Sequence, residues 1–259
     1  DFPLLVNAGD SLHYLDNAAT SQKPKAVIDA ISNCYSEHYG PVHRGLYPLA
    51  EEASQRYENA RTTLAKFINA PDDQLIFTRS TTESINMVAQ GWLRSRLSKG
   101  DQIWVTRMEH HANYLPWRAL CNENDAKLKI IELRQDGSLD LDSCIGLYDS
   151  TTKLIAVTHT SNVLGTINPV KEICAKAAEQ GIAVMVDAAQ SVGHIPVDVI
   201  DIDCDFLAFS AHKMFGPTGI GALYGKAERL VEMEPLLLGG GMVDSINECN
   251  SVWMPYPAK

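Results

Sequence analysis

Residues 183–187 read Ala-Val-Met-Val-Asp, four apolar residues that end in an acid. Short β-branched runs of this kind alternate along the chain with longer stretches of helical periodicity. That alternation is typical of repeated strand–helix units and of a mainly parallel sheet. The predicted strands are Leu75–Thr78, Gln102–Thr106, Lys127–Ile131, Lys153–Thr158, Ala183–Asp187, Phe206–Ser210 and Ile220–Tyr224. The sequence therefore predicts an α/β fold with a mainly parallel seven-stranded sheet and helices on both faces.

Helices are predicted between the strands and before the first of them. The clearest helical patterns are Glu83–Leu97, Tyr114–Asn124 and Val170–Gln180, and two further helices are predicted at Pro24–Tyr39 and Glu51–Asn69. Gly40–Pro48 separates the first two helices of the chain and is predicted to be a loop. Beyond Met233 the periodicity breaks up, so we predict no further regular element there.

The composition restricts the function. The 259 residues include 22 Lys and Arg against 32 Asp and Glu, a net charge of −10, which argues against binding along the phosphate backbone of a nucleic acid. The six cysteines form no CxxC pair, so neither a zinc site nor a disulfide framework is predicted. No apolar run approaches the roughly 20 residues that span a membrane. We therefore expect a cytoplasmic protein with reduced thiols.

Polar residues follow four of the predicted strands. These segments are Ser80–Glu83, Glu109–Asn113, Asp187–Gln190 and Ser210–Lys213. In open α/β sheets, ligands bind outside the carboxyl ends of the strands. The sequence therefore predicts a binding site at that edge of the sheet.

Lys213 and Asp187 are the candidate catalytic pair. A lysine after a strand can have its pKa lowered by burial and nearby cations, as imine formation requires, although an ordinary surface lysine is the commoner case. A carboxylate that faces a pyridine nitrogen would keep it protonated and make the ring an electron sink, whereas a helix N-cap is the ordinary role of such an aspartate. Because the two residues end strands joined by a short connection, the pair favours the catalytic interpretation.

The segment Ser80-Thr-Thr-Glu-Ser84 is a candidate phosphate site. Free amides at a helix start, with two threonine hydroxyls beside them, could hold a phosphate without any lysine. A plain capping box explains the same spacing equally well. Ser210 and His212 could add donors to the same phosphate from the neighbouring strand.

Two adjacent histidines, His110 and His111, follow the second predicted strand. An imidazole there could stack against an aromatic cofactor. Neighbouring residues on a helix point about a hundred degrees apart, unlike the i, i+4 spacing of a typical zinc motif, so we predict no metal site. An ordinary structural histidine is the stronger alternative for His111.

Seven motifs occur together in one order. They are Asp16-Asn-Ala-Ala-Thr20, Val42-His-Arg-Gly45, Arg79-Ser-Thr-Thr-Glu83, Met108-Glu-His-His-Ala-Asn113, Thr160-Ser-Asn-Val-Leu-Gly165, Val186-Asp-Ala-Ala-Gln190 and Ser210-Ala-His-Lys-Met-Phe-Gly-Pro-Thr-Gly-Ile-Gly221. The chain resembles the Suf-type (group II) cysteine desulfurases in these motifs from about Phe2 to Met242. That group belongs to the class V aminotransferases of fold type I.

The resemblance implies that the cofactor is pyridoxal 5′-phosphate (PLP). Lys213 would hold it as a Schiff base and later move a proton, and Asp187 would pair with the pyridine nitrogen. Gln190 would hydrogen-bond the ring hydroxyl. His110 would stack on the ring face and, with Lys213, would be a catalytic residue. The residues implied to hold the phosphate are Thr81, Thr82, Ser210 and His212.

Further residues are implied to lie close to the substrate. Asn162 would lie near the substrate carboxylate and the ring hydroxyl, and His43 and Arg44 belong to a loop that lines the active-site mouth in the family. Ser80 and Ala211 stand where the family usually has glycine. Each adds a side chain close to the phosphate loop without removing a functional group.

The resemblance also implies a domain organisation. Residues 1–22 would be an N-terminal segment, 23–242 the PLP-binding large domain, and 243–259 the start of a connection to a small C-terminal domain that is missing from this chain. That domain would carry the catalytic cysteine and the arginine that binds the substrate carboxylate. None of the six cysteines present matches the nucleophile's motif, and Glu248 beside Cys249 would raise the pKa of that thiol.

The implied function is the conversion of L-cysteine to L-alanine with transfer of sulfur to an enzyme cysteine, for iron–sulfur cluster assembly. L-Selenocysteine is an alternative substrate. The implied partners are a second copy of the chain, as a homodimer, and a sulfur-acceptor protein. Selenocysteine lyase, a kynureninase-like or aminotransferase-like enzyme, and a PLP-binding partner protein without catalysis are the alternatives.

Overall fold

The computed structural model describes residues 1–146, 148–248 and 250–258 of the chain. Seven strands form one sheet, in the order β1-β7-β6-β5-β4-β2-β3. The strands are β1 (Leu75–Thr78), β2 (Gln102–Thr106), β3 (Lys127–Ile131), β4 (Thr152–Thr158), β5 (Ala183–Asp187), β6 (Phe206–Ser210) and β7 (Gly221–Gly225). Only β7 runs against the other six, since it pairs antiparallel with both β1 and β6. The mainly parallel seven-stranded α/β fold is therefore confirmed.

The central strands are buried on both faces. In β5, Val184 and Val186 pack into one apolar cluster, whereas Ala183 and Met185 pack into the other. Strands β4 and β6 alternate between the same two clusters. A strand that is covered on both sides carries an unbroken apolar run, because every side chain must leave water. The unbroken apolar run Ala-Val-Met-Val at residues 183–186 is the direct result of this arrangement.

Helices cover both faces of the sheet. The helices that the structure describes are α1 (Pro3–Ala8), α2 (Lys25–Glu37), α3 (Pro48–Phe67), α4 (Thr81–Met87), α5 (Leu115–Glu123), α6 (Asp142–Ile145), α7 (Val170–Ala178), α8 (Val199–Ile202) and α9 (Ala227–Glu232). Helices α3, α7 and α8 contribute to one apolar cluster, and α4, α5 and α9 contribute to the other. In the described part of the chain, no helix is long and apolar enough to cross a membrane.

The helix predicted at Glu83–Leu97 differs from the structure. Helix α4 ends at Met87, and the chain continues as a π-helix over Val88–Leu93 and a short 3₁₀ turn. Gly91 lies in the wider turn, where a Cβ atom would come within 2.3 Å of the Glu234 carbonyl oxygen. Gly91 therefore permits a close backbone approach that helical periodicity alone does not reveal.

The absence of a regular element beyond Met233 was predicted wrongly. Strands β8 (Val243–Ile246) and β9 (Ser251–Trp253) form an antiparallel hairpin. Both strands are short and mostly exposed, so their sequences show little of the alternation of apolar and polar residues that predicts a strand. Cys249, which the sequence analysis considered as a nucleophile, lies outside the described residues. The three-part domain organisation stays a prediction.

Candidate functional site

A cavity of about 530 Å³ lies at the carboxyl edge of the sheet. Strands β4, β5 and β6 are parallel neighbours that end at Thr158, Asp187 and Ser210, so their last residues lie side by side at this edge. The predicted residues that line the cavity are Thr81, Thr82, His110, Asn162, Asp187, Gln190, Ser210, His212 and Lys213. Its volume is in the range of small-molecule sites, about 300–1,000 Å³.

Lys213 and Asp187 face this cavity from adjacent strand ends. Asp187 is 4% exposed, and its Oδ1 accepts a hydrogen bond of 2.9 Å from the Ala189 amide. Burial raises the pKa of Asp187, and the charges of Lys213 and His110 act against that rise. Burial also lowers the pKa of Lys213, so the uncharged amine is more accessible than in a surface lysine. The pair has the environment that the catalytic interpretation requires.

Ser210 joins the end of β6 to the first turn of α4. Its Oγ accepts a 2.8 Å hydrogen bond from the Thr81 amide and lies 2.7 Å from Thr81 Oγ1. The N-cap of α4 is Ser80, whose Oγ accepts from the Glu83 amide at 3.3 Å. Capping therefore involves Ser80 and Glu83, and the hydroxyls of Thr81 and Thr82 line the cavity. The capping box and the predicted phosphate site are therefore compatible, because they use different residues of this segment.

His110 follows β2 and lines the same cavity. Its Nδ1 accepts a 3.1 Å hydrogen bond from the Ala112 amide, which fixes the ring and leaves Nε2 free of that contact. The rings of His110 and His111 are 6.0 Å apart and inclined by 45°. Among the described residues, no group of three or more His, Cys, Asp or Glu side chains could hold a metal ion.

An N-terminal segment that sequence reasoning gave no site role closes over the lysine loop. The carbonyl oxygen of His212 accepts from Thr20 Oγ1 at 3.1 Å, from both Ser21 N and Oγ at 2.9 and 3.0 Å, and from Lys23 Nζ at 3.0 Å. Gln190 Nε2 donates to the Ala18 carbonyl at 2.6 Å. The predicted contact of Gln190 with the ring hydroxyl could still be made by the second Nε2 hydrogen or by Oε1.

His43 and Arg44 do not line this cavity. His43 Nε2 lies 3.0 Å from Glu58 Oε1, at a second cavity that Gly241 also lines. The Arg44 guanidinium lies against Gly240 and Gly241. Their role at the active-site mouth stays a prediction, and within the described chain they occupy a separate surface.

The four cysteines whose state is described are all free. Cys34 is exposed, and Cys121, Cys174 and Cys204 are buried. Burial raises the pKa of Cys121 to about 11 and that of Cys174 to about 12, and it also raises the pKa of Cys204 well above its usual value. None of these four lines the cavity. They are therefore poor candidates for a sulfur-accepting thiolate.

The groups that line the cavity fit PLP. The cofactor needs an amine for its aldehyde, a partner for its ring nitrogen and donors for its phosphate, and Lys213, Asp187 and the Ser210–Thr81 pair supply these groups. Thr160 also lines the cavity, and its buried hydroxyl has no hydrogen-bond partner among the described residues. A polar ligand would satisfy such a group.

The fold and the cavity are those of a PLP enzyme, built on a mainly parallel sheet with a lysine after one of its central strands. The chain belongs to the class-V aminotransferase family, which matches residues 13–259. Members of this family and of its cysteine desulfurase branch are PLP-dependent.

Among curated relatives, the cysteine desulfurase of Cronobacter sakazakii is 50% identical over 250 residues, and that of Shigella sonnei is 49% identical over 251 residues. Each alignment covers 95% of this chain and 62% of the relative. The solved cysteine desulfurase CsdA from Escherichia coli has a TM-score of 0.90 at 43% identity, covering 99% of this chain and 64% of its own. The apo cysteine desulfurase from Thermococcus onnurineus NA1 has a TM-score of 0.93 at 40% identity, covering 100% and 63%. The chain thus spans about 62% of the length of these curated relatives.

Proposed function

We propose that this chain is the cofactor-binding part of a cysteine desulfurase, which converts L-cysteine to L-alanine and transfers the sulfur to an enzyme cysteine as a persulfide. The observation that carries the proposal is the pair of the buried Asp187 and the half-buried Lys213, which line one cavity beside the ends of adjacent strands. The curated relatives compared above are named cysteine desulfurases and are 49–50% identical to this chain, which favours this reaction over others of the family.

The residues of the cavity suggest how the cofactor would be held. Ser210 and Thr81, already joined by hydrogen bonds, would bind the phosphate together with Thr82 and His212. Asp187 would keep the ring nitrogen protonated, and His110 would stack on the ring. When bound, PLP supplies an electron sink for the negative charge that develops at the substrate Cα after proton loss.

Lys213 would move that proton. Burial lowers the pKa of its amine, which favours the uncharged form of Nζ that can accept a proton from the substrate Cα. Asn162, at the rim of the same cavity, would orient the substrate carboxylate. An ordered ring and a positioned amine reduce the entropic cost of reaching the transition state.

The sulfur step needs a thiolate aimed at the substrate sulfur. The thiolate attacks that sulfur and the Cβ–S bond breaks with its electron pair on Cβ; protonation of Cβ and return of a proton to Cα then give alanine beside the persulfide. The four cysteines described as free do not line the cavity, so we propose that the thiol comes from another part of the complete protein. We further propose a homodimer, a sulfur-acceptor protein of iron–sulfur assembly as the partner, and a cytoplasmic location, which suits four free thiols.

Two measurements test the proposal. Borohydride reduction of the purified protein with PLP, followed by peptide mapping, should place the pyridoxyl group on Lys213, and its appearance on another lysine would contradict the assignment. Sulfide and alanine release from L-cysteine should be catalytic for the complete gene product and absent for residues 1–259 alone. Sustained turnover by this segment, abolished by Cys249→Ser, would overturn the inferred source of the thiol.

The same assays separate the alternatives. A strong preference for L-selenocysteine over L-cysteine would indicate a selenocysteine lyase, and turnover with a keto-acid acceptor would indicate an aminotransferase. Binding of PLP without any turnover by the complete gene product would indicate a partner protein.

A further inference from the structure

Glu109 carries a carboxyl group to which the proposed function gives no role. It follows β2 and accepts three hydrogen bonds: Thr106 Oγ1 donates to Oε1 at 2.6 Å, Asn113 Nδ2 donates to Oε2 at 2.6 Å, and the Thr158 amide donates to Oε1 at 2.8 Å. Every partner is a donor, so the site is built for an oxygen at both positions.

These hydrogen bonds join two segments of the chain that line the cofactor cavity. Thr158 is the last residue of β4, it lines the cavity, and it is paired in register with Asp187 of β5. His110, which also lines the cavity, is the next residue in the chain after Glu109. The carboxylate of Glu109 therefore connects the loop that carries His110 to the strand end beside Asp187.

The connection continues into the core. Asn113 is fully buried, and its Oδ1 accepts a 3.0 Å hydrogen bond from Trp117 Nε1 of α5. That contact fixes the orientation of the Asn113 amide, so that its Nδ2 must point at Glu109. Burial of the carboxyl, with a smaller contribution from the charge of Asp187, raises the pKa of Glu109 to about 8. Glu109 as a whole is half-buried, and its carboxyl end is the part that burial and the nearby charge of Asp187 affect.

We propose that Glu109 is a positioning residue for PLP, holding the His110 ring and the Thr158 end of β4 at the spacing that the cofactor requires. This inference rests on the proposed function, since it assumes that PLP occupies the cavity. Glu109 itself does not line that cavity; it acts through the two residues that do.

The substitution Glu109→Gln tests the donor pattern without changing the size of the side chain. In either orientation, its amide NH₂ would meet a donor: the Asn113 amide on one side or the Thr158 N–H on the other. A matched second change, Asn113→Asp, would turn that neighbour into an acceptor while still accepting from Trp117. The double substitution therefore restores each hydrogen bond with one of them reversed.

The measurements are made at about pH 9, above the Glu109 pKa of about 8, so that the parent protein carries the carboxylate. They are PLP affinity, by titration of the apo form of the complete gene product, and the position of the visible absorption band of the bound cofactor. We expect Glu109→Gln to weaken PLP binding by about tenfold or more, as loss of about 1.4 kcal/mol would do, and to shift the band. We expect the double substitution to recover most of both. If Glu109→Gln does not fold, Thr106→Val removes one donor and should weaken binding several-fold.

Asp205→Asn is the control for a purely structural loss. Asp205 accepts from the Val184 amide at 2.8 Å and from Arg229 Nε at 2.7 Å, at the opposite end of the sheet. The substitution Asp205→Asn should lower thermal stability and leave PLP affinity unchanged. Unchanged affinity and band in both Glu109→Gln and Thr106→Val, or no recovery in the double substitution, would overturn the inference. Failure of the parent protein to bind PLP would instead contradict the proposed function.

Discussion

The buried carboxyl of Glu109 should give the apoprotein an unusual pH dependence of stability. Its pKa is about 8 in the folded chain, against a usual value of 4.5. Between these values the folded state binds one more proton than the unfolded state does. The free energy of unfolding should therefore fall as the pH rises through this window, and the contribution of Glu109 should be constant above and below it.

The magnitude follows from the two pKa values. One pKa unit corresponds to about 1.4 kcal/mol, so ionising Glu109 in the folded state costs up to about 5 kcal/mol. That cost is a large share of the free energy of unfolding of a typical domain, which is roughly 5–15 kcal/mol. Asp187 contributes in the same direction, since burial raises its pKa, and His159 contributes in the opposite direction, since burial lowers its pKa.

The variant Glu109→Gln isolates one group from these others. Unfolding of the PLP-free complete gene product, followed by circular dichroism at pH values from about 5 to about 8.5, should show the parent losing stability more steeply than the variant. The hydrogen-bonding defect of the variant is independent of pH, so only the difference in slope is diagnostic. A slope difference amounting to less than about 1 kcal/mol across the window would refute the raised pKa.

Three further outcomes are expected. Asp187→Ala should impair L-cysteine turnover by the complete gene product far more than borohydride-trapped PLP attachment, and turnover at the parent rate would refute its role at the ring nitrogen. Ser210→Ala leaves the buried Thr81 amide without its acceptor, at a cost of about 1–3 kcal/mol, and should lower both thermal stability and PLP affinity. Gly91→Ala places a Cβ against the Glu234 carbonyl, so it should cost about 1–3 kcal/mol in thermal unfolding, yet PLP titration should give the parent affinity.

The strands of the fold were predictable because a central strand that is buried on both faces requires an unbroken run of apolar residues. The direction of β7 was not part of that pattern. Only ten residues separate Ser210 of β6 from Gly221 of β7. This connection is shorter than the dozen or so residues that a parallel crossover needs, so the strand returns antiparallel. Connection length, rather than composition, carried the missing information.

The site was predictable where its residues directly follow strands. Asp187, Ser210 and Lys213 meet because parallel strands end at one edge, a rule that needs no knowledge of side-chain contacts. Glu109 lies in a segment that the sequence drew attention to, yet its role depends on the Thr158 amide, 49 residues further along the chain. No local spacing signals such a bond.

The N-terminal segment shows where sequence reasoning must fail. Thr20 and Lys23 contact the His212 carbonyl across about 190 residues, whereas the predicted boundary after residue 22 divides these donors between two parts of the chain. A carbonyl with four donors is held firmly, and the next residue is Lys213, whose amine must reach the cofactor. Because an error of about 1 Å in a reacting group can cost on the order of a hundredfold in rate, the geometry of Lys213 depends on residues 20–23 as well as on β6. A chain that begins after residue 22 would retain Lys213 and lose three of the four hydrogen bonds to the His212 carbonyl, so we propose that this segment helps to position Lys213.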